Sequence, residues 1–401
     1  MPGETAAIEQ TFAVKSTILL TATLTVMASA IVSPSLPALE QHFAGFPRID
    51  YLTKFVVTLP ALFMAVSAPM AGYFIDHFGR RTLLAGAVVL YAIAGSSGAI
   101  FDSITAILVS RALLGIANAA IMTSVGTLIG DYYSGAARNQ MAGFRGAFNN
   151  FGGVIYLLLG GVLASLDWRA PFLVYLIAFA VLPLILRNIY EPTRVPAQAD
   201  WTNGSAGTEP VPWARIVGTY AAAFIFGATF YMIPTQIPFH LLQMGFPESS
   251  LAGAAVAAST FVTAVTSLFY GRIRGFLSPG TMFVCGFALM AGGFAIVASG
   301  SSLVQVFAGL MVFGTGMGLT MPNFSIRLLE LAPRKIRGRI LGGQATSIMV
   351  GFFVSPLLSQ PIAKTWGIST AFGAGSSLLT LVALAFVIVL VRARSDRSRE
   401  A

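Results

Sequence analysis

The residues of this chain with the most chemical potential are polar groups set inside long apolar segments. Arg111 lies near the start of one such segment, and Gly115, Asn118 and Met122 follow it at spacings that share one helix face. A guanidinium roughly 10 Å inside a membrane is costly and by default functional. We therefore expect Arg111 and Asn118 to bind a substrate or to take part in proton-linked switching. The alternative is structural: Arg111 would join helices through backbone carbonyls or extend toward the membrane surface.

Further polar residues are spaced to line a water-filled cavity. Hydroxyl residues recur at every fourth position of the first apolar segment and place Thr25 and Ser29 on one helix face. In the fifth segment, Asn149 and Tyr156 share a face with two glycines. Each of these groups can equally serve helix packing, so the set is more informative than any member. The other predicted cavity residues, in the seventh and tenth segments, are Tyr231, Gln236 and Asn323.

The composition indicates which class of protein holds these residues. Of 401 residues, 56% are hydrophobic and 10% are charged, whereas soluble domains contain about 25% charged residues. Long uninterrupted apolar runs fit membrane-spanning helices better than barrel strands. The net charge of +9 is spread over short loops, and no nucleic-acid-binding motif accompanies it. The single cysteine, Cys285, excludes an intramolecular disulfide and a cysteine-based metal cluster.

Twelve segments are long enough to cross roughly 30 Å of hydrocarbon. They are predicted at 16–38, 52–74, 82–101, 104–128, 140–164, 169–188, 214–236, 250–271, 281–299, 303–327, 340–361 and 369–391. A polar stretch rich in Pro and Gly divides the chain into a bundle at 1–189, a linker at 190–213 and a bundle at 214–401. Gly72 and Gly271 are separated by the same interval as Gly115 and Gly314, which indicates that the halves are repeats.

The distribution of lysine and arginine predicts the orientation. One side holds only Arg48, Lys54, Arg169 and Lys364, while Arg111 is internal and all other basic residues fall on the other side. Cytoplasmic loops carry the excess of basic residues, so both termini are expected in the cytoplasm. The sequence therefore predicts a multi-pass protein of the cell (inner) membrane.

Three motifs resemble those of the major facilitator superfamily. The spacing G-x-x-x-D-x-x-G-R-R at 72–81 is similar to the family's signature loop between helices two and three. Arg111 and Gly115 match its second motif, with Leu114 where glutamine is usual. The fifth segment carries glycines of the antiporter motif, but Tyr156-Leu157 replaces its Gly-Pro pair. The resemblance implies an all-α membrane protein of twelve helices in two pseudo-symmetric six-helix bundles, most similar to the drug and metabolite efflux (drug:H+ antiporter) branch.

The signature sequence predicts a conformational latch. We interpret 72–81 as a tight charged turn, in which Asp76 pairs with an arginine or caps the next helix. Asp131 is available to Arg80 and Arg81, and Arg138 or Arg145 to Asp76. We expect Asp76→Asn to slow transport without unfolding the protein, and full activity in that variant would contradict the latch. Its members are Gly72, Asp76, Gly79, Arg80, Arg81, Asp131 and Arg138.

The family resemblance implies a secondary active transporter rather than an enzyme, working by alternating access. No Asp or Glu lies in the middle of a predicted span. Together with Arg111, this favours export of a small neutral or anionic compound, a drug or metabolite, over a cationic one. Proton coupling stays open and would need an acid near a helix end, such as Glu40. The alternatives are a metabolite importer or uniporter, or a non-transporting sensor or assembly protein. We expect a monomer in the lipid bilayer without cofactor, metal or nucleic acid.

Overall fold

The computed structural model describes residues 11–191, 211–333 and 336–400, excluding the side chains of Asp76 and of residues 393–400. In these ranges, twelve helices are long and apolar enough to cross a membrane. They are α1 (Phe12–His42), α2 (Ile49–Phe78), α3 (Arg80–Ser96), α4 (Ile104–Tyr132), α5 (Gly135–Leu166), α6 (Ala170–Asn188), α7 (Trp213–Gln243), α8 (Ser249–Arg274), α9 (Pro279–Ser299), α10 (Leu303–Leu331), α11 (Arg337–Trp366) and α12 (Ile368–Glu400).

The twelve-helix prediction is confirmed, and most helices are longer than the apolar segments that predicted them. α5 begins at Gly135 and α10 continues to Leu331. Such extensions are expected because a helix satisfies its backbone hydrogen bonds internally wherever it runs. α1 is interrupted by a 3-10 turn at Ser33–Ser35, where Pro34 and Pro37 supply no backbone N–H. α6 is likewise interrupted, at Val174–Leu176.

The expected ten-residue turn at 72–81 is wrong in extent. The chain stays helical to Phe78, and the turn reduces to Gly79, with a φ of 85°. Glycine adopts this conformation readily because it has no Cβ. Arg80 and Arg81 already belong to α3. The Asp76 side chain lies outside the described residues, so its pairing stays a prediction.

Two buried apolar clusters form the core. One joins α1–α6, and the other joins α7–α12 together with Ala30 and Leu157. We call the end of the molecule where α2 passes into α3 the basic end, and the end where α1 passes into α2 the opposite end. α1–α6 and α7–α12 are called the two halves.

The two halves touch toward the opposite end and separate toward the basic end. In α5 and α8, a Cβ built on Gly253 would lie 3.0 Å from the Cα of Gly161. A Cβ on Gly153 would lie 3.5 Å from Thr260 of α8. Gly146, two turns closer to the basic end on the same face of α5, has nothing within 4 Å. The halves therefore separate toward the basic end along this face, and we call the space between them the cleft.

Candidate functional site

Aromatic rings from both halves form the closed end of the cleft. Tyr231 of α7 stacks on Phe352 of α11 with ring centroids 4.1 Å apart, and it packs against Val57 of α2. Phe55 of α2 stacks on Phe353 of α11 at 5.4 Å. Phe55, Phe352 and Phe353 are only partly buried. We call these four rings (Phe55, Tyr231, Phe352 and Phe353) the aromatic roof.

The predicted residues of α1 and α4 lie beside this cleft. Thr25 and Ser29 are partly buried, and Ser29 lies near the Tyr231 hydroxyl. The Thr25 hydroxyl donates to the carbonyl of Ala22 in its own helix at 2.7 Å. The buried Asn118 amide donates to the Thr25 carbonyl at 3.1 Å. No described residue donates to the Asn118 carbonyl oxygen. Asn118 therefore ties α4 to α1 and keeps one acceptor atom unused.

Asn149 and Tyr156 of α5 are both partly buried on the cleft side. The Tyr156 hydroxyl shares a 3.0 Å hydrogen bond with the Thr23 hydroxyl of α1. No described residue donates to the buried carbonyl oxygen of Asn149. Tyr156 therefore connects α5 to α1, and the Asn149 carbonyl oxygen keeps an unused acceptor site.

Gln236 and Asn323 lie elsewhere, and both are fully buried. The Gln236 amide donates to Ser359 at 3.0 Å and to Gln360 at 3.2 Å, and so joins α7 to α11. Asn323 accepts a hydrogen bond from Tyr270 at 2.9 Å and donates to the carbonyl of Pro279 at 2.8 Å. These bonds join α10 to α8 and α9. The structure places neither side chain on the open cleft, because each is fully buried between helices.

Arg111 is fully buried and is enclosed by α3 and α6. Its Nη2 donates to the carbonyls of Ala94 and Gly95 at 2.8 and 2.6 Å. The guanidinium also lies 5.0 Å from the ring centroid of Phe172 and 5.1 Å from that of Tyr175. These contacts join α4 to α3 and α6. The placement matches the structural alternative, and substrate binding by Arg111 stays a prediction without a supporting contact.

Of the predicted latch pairs, the described residues form one, at the basic end. Arg80 Nε donates to Asp131 Oδ2 at 3.1 Å and joins α3 to α4. The Arg81 guanidinium donates to the carbonyl of Leu186 in α6 rather than to Asp131. Arg138 lies against Gly130 of α4, 3.4 Å from a Cβ built there. All of these described contacts lie within α1–α6.

Sequence reasoning missed Glu191, which it assigned to the linker. The two carboxylate oxygens of Glu191 accept hydrogen bonds from the backbone N–H groups of Arg80 at 2.7 Å and Arg81 at 2.9 Å. This carboxylate satisfies the first donors of α3, where a helix favours negative charge. The signal in the sequence was weak because any nearby acid can cap a helix.

Sequence reasoning also missed a polar connection between the halves at the opposite end. Lys54 of α2 is 2% exposed, and its Nζ donates to Gln360 Oε1 of α11 at 2.5 Å. Ser33 of α1 donates to the carbonyl of Pro234 of α7 at 2.6 Å. We call this group the polar gate; its members are Ser33, Asp50, Lys54, Pro234, Gln236, Gln360 and Lys364.

The family model of the Major Facilitator Superfamily matches residues 18–273 and 248–401, and together these ranges cover most of the chain. The chain belongs to the major facilitator superfamily. Members of this family are transporters and not enzymes.

No group of three or more His, Cys, Asp or Glu side chains that could hold a metal ion occurs in the described part of the chain.

Relatives of this superfamily member include proteins named for drug resistance. It is 28% identical over 261 residues to "Multidrug resistance protein 1" of Bacillus subtilis (strain 168), covering 61% of this chain and 64% of that protein. It is 24% identical over 385 residues to "Tetracycline resistance protein, class E" of Escherichia coli, covering 90% and 92%.

Solved structures of superfamily transporters share the fold. A D-xylose–proton symporter superposes with a TM-score of 0.77 at 16% identity, covering 94% of this chain and 97% of the other. The xylose transporter XylE from E. coli, in an inward-open conformation, superposes with a TM-score of 0.74 at 16% identity, covering 94% and 95%. These likenesses support the superfamily fold of twelve helices.

Proposed function

We propose that this superfamily member is a secondary active transporter that exports a small neutral or anionic organic compound, a drug or metabolite, by alternating access. The observation that supports the proposal most is the cleft itself. It is closed by the aromatic roof and by the Lys54–Gln360 bond, and it is open at the basic end. Two bundles at 1–189 and 214–401, connected by the linker at 190–213, would rock about this cleft. One chain supplies both bundles, so a monomer is the proposed working unit.

The proposed orientation places the basic end in the cytoplasm of the cell whose membrane holds the protein. Basic residues are concentrated at this end, as in cytoplasmic loops of membrane proteins. The cleft then faces the cytoplasm, where an exporter collects its substrate. The efflux proteins named among the relatives support this direction.

The proposed substrate class follows from the groups around the cleft. The aromatic roof offers flat apolar faces, and Thr25, Ser29, Asn149 and Tyr156 offer hydrogen-bonding groups. The sequence has no acid in the middle of any span that could bind a cationic drug. Arg111 no longer supports an anionic preference, because its guanidinium is enclosed by α3 and α6.

A two-stage experiment tests this function. The purified protein is first screened for thermal stabilisation by neutral, anionic and cationic compounds, and the hits are then tested for transport in proteoliposomes with and without a pH gradient. We expect neutral or anionic hits that move from the basic side to the opposite side. Dependence on the gradient would assign proton coupling.

Three outcomes would contradict the proposal. Selective transport of lipophilic cations would contradict the substrate class. Transport only in the reverse direction would support an importer. Stabilisation by a ligand that is never transported would support a sensor.

A further inference from the structure

Lys54 is a buried cation in the polar gate without a carboxylate partner. Its Nζ bonds to Gln360 Oε1 at 2.5 Å and to the Asp50 carbonyl at 3.1 Å, and it lies 4.4 Å from the ring centroid of Phe239. Among the described residues, Lys54 takes part in no ion pair. The ammonium is therefore removed from water, and its direct contacts in the described structure are all with neutral groups.

Acids lie near the gate but are held by other groups. Glu40 and Asp50 are close enough to act on Lys54 electrostatically. Glu40 Oε2 accepts a hydrogen bond from Thr53 at 3.1 Å. Asp50 Oδ2 lies 3.3 Å from Nζ of Lys364 and 3.4 Å from the Gln360 amide. The nearby carboxylates thus compensate only part of the cost of burying the Lys54 charge.

The two neutral contacts of Lys54 with other helices cross between the halves. Gln360 lies on α11 and Phe239 on α7, whereas Lys54 lies on α2. Opening of the gate would break both contacts and return the ammonium to water. Closing therefore requires desolvation of one charge, and that cost acts against the closed state.

We propose that Lys54 is the residue that drives the polar gate to reopen, through the cost of burying its charge. The proposal rests on the proposed alternating access. This role of Lys54 makes the gate different from a simple latch, in which every hydrogen bond between the halves favours closure. Gln360 compensates for the buried charge, so the two partners of one hydrogen bond affect the gate in opposite directions.

Two substitutions distinguish a gate reopened by the buried charge from a simple latch. Lys54→Met removes the charge and leaves Gln360 Oε1 with its donor from Gln236, 3.2 Å away. It should favour the closed gate, because apolar replacement of a buried charge is often stabilising. Gln360→Leu leaves the ammonium buried without its acceptor from the other half, and should favour the open gate. A simple latch predicts that both substitutions open the gate.

The state of the gate is measured by the labelling rate of a single introduced cysteine, in a protein whose native cysteine is removed by Cys285→Ser. Val57→Cys places a thiol on α2 that is buried in the closed gate, and a charged membrane-impermeant thiol reagent reports its exposure from the opposite side. Lys54→Met should slow labelling roughly fivefold or more, and Gln360→Leu should speed it by a similar factor. Lys364→Met is the matched control, because Lys364 is a gate lysine whose side chain is 68% exposed. It should not slow labelling.

A second cysteine, placed at the basic end, ensures that the test does not depend on Val57→Cys alone. Gly146→Cys faces open space at the basic end, and in inverted vesicles its labelling should change in the opposite direction to that of Val57→Cys. Faster Val57→Cys labelling in both gate variants, or no change in either, would overturn the proposal. Failure of transport with these labelling changes intact would contradict the proposed function instead, since labelling needs no substrate.

Discussion

Arg111 and Lys54 are both buried cations, but their surroundings differ. Arg111 bonds two carbonyls and lies over two aromatic rings, all within α1–α6. Lys54 bonds across the halves. Contacts within one half persist when the halves rock, so Arg111 contributes to the stability of its half. Contacts between halves change in each cycle, so Lys54 affects the balance between states.

Arg111→Ala should therefore destabilise the protein. It leaves a cavity and removes the donor to the carbonyls of Ala94 and Gly95, at a cost of about 1–3 kcal/mol. Thermal unfolding of the purified protein measures the loss. Arg187→Ala is the control, because Arg187 is an exposed arginine near the end of α6. A change in substrate affinity with unaltered thermal stability would instead support the binding role.

At the scale of elements, α3 depends on a residue beyond the end of α6. The turn before α3 is the single residue Gly79, which leaves no room for a capping side chain in the turn itself. Glu191 supplies that cap through two backbone N–H groups. Tyr132 donates to the carbonyl of the adjacent Tyr190 at 2.5 Å and so fixes this segment against α4. The junction of α2 and α3 is thereby held by α4 and α6.

Glu191→Ala should lower thermal stability by about 1 kcal/mol, the usual effect of losing a helix cap. Glu248→Ala is the matched control, because Glu248 stands at the cap position of α8 without a side-chain cap bond. Equal losses in both variants would show that the Glu191 cap contributes nothing.

The short connections at the opposite end share an ionic cluster. Asp102 Oδ1 lies 2.6 Å from Nε2 of His42 and 2.7 Å from Nη2 of Arg169. The hydrogen bond with His42, assisted by the charge of Arg169, lowers the pKa of Asp102 below its usual 3.8. These contacts connect the end of α1 to the loops before α4 and α6.

The stability that Asp102 adds should disappear in acid. A carboxyl group with a lowered pKa stabilises the folded state above its usual pKa and loses this effect as the pH falls through its folded-state pKa. Asp102→Asn should therefore lower the melting temperature at pH 7, and the difference from the parent protein should shrink as the pH falls below 3.8 and vanish below the folded-state pKa. A difference that persists unchanged in acid would contradict a role for the charge. Glu248→Gln, an exposed acid at the same end, is expected to change little.

At the scale of the molecule, close approach of α5 and α8 closes the opposite end. The backbone of α8 meets that of α5 where Gly253 faces Gly161. Small residues permit such approach between membrane helices, and a larger side chain would separate them. The same helix, α8, carries Gly271 in open space at the basic end.

Gly253→Leu should hold the opposite end open and reduce transport, whereas Gly271→Leu should not. Overpacking of close contacts typically costs about 1–3 kcal/mol, which corresponds to a roughly fivefold to hundredfold shift between states. Labelling of Val57→Cys from the opposite side measures the shift. Equal labelling in the two variants would show that the glycine contact does not control closure.

The sequence by itself determined the membrane class, the twelve helices, their family and the predicted orientation. These properties depend on local apolar length, on the placement of basic residues and on short motifs, all of which are readable along the chain. It also grouped Thr25, Ser29, Asn149 and Tyr156 as cavity residues; all four are partly buried, and their role in a cavity stays a prediction.

The tertiary structure decided which side of each helix meets a neighbour. Arg111 and Asn118 share a helix face by spacing, yet one contacts α3 and α6 and the other contacts α1. Lys54 resembled a loop cation near a helix end, and its burial comes from α7 and α11, far away in sequence. The polarity of a residue is fixed by its type, but its desolvation depends on distant segments that only folding brings together.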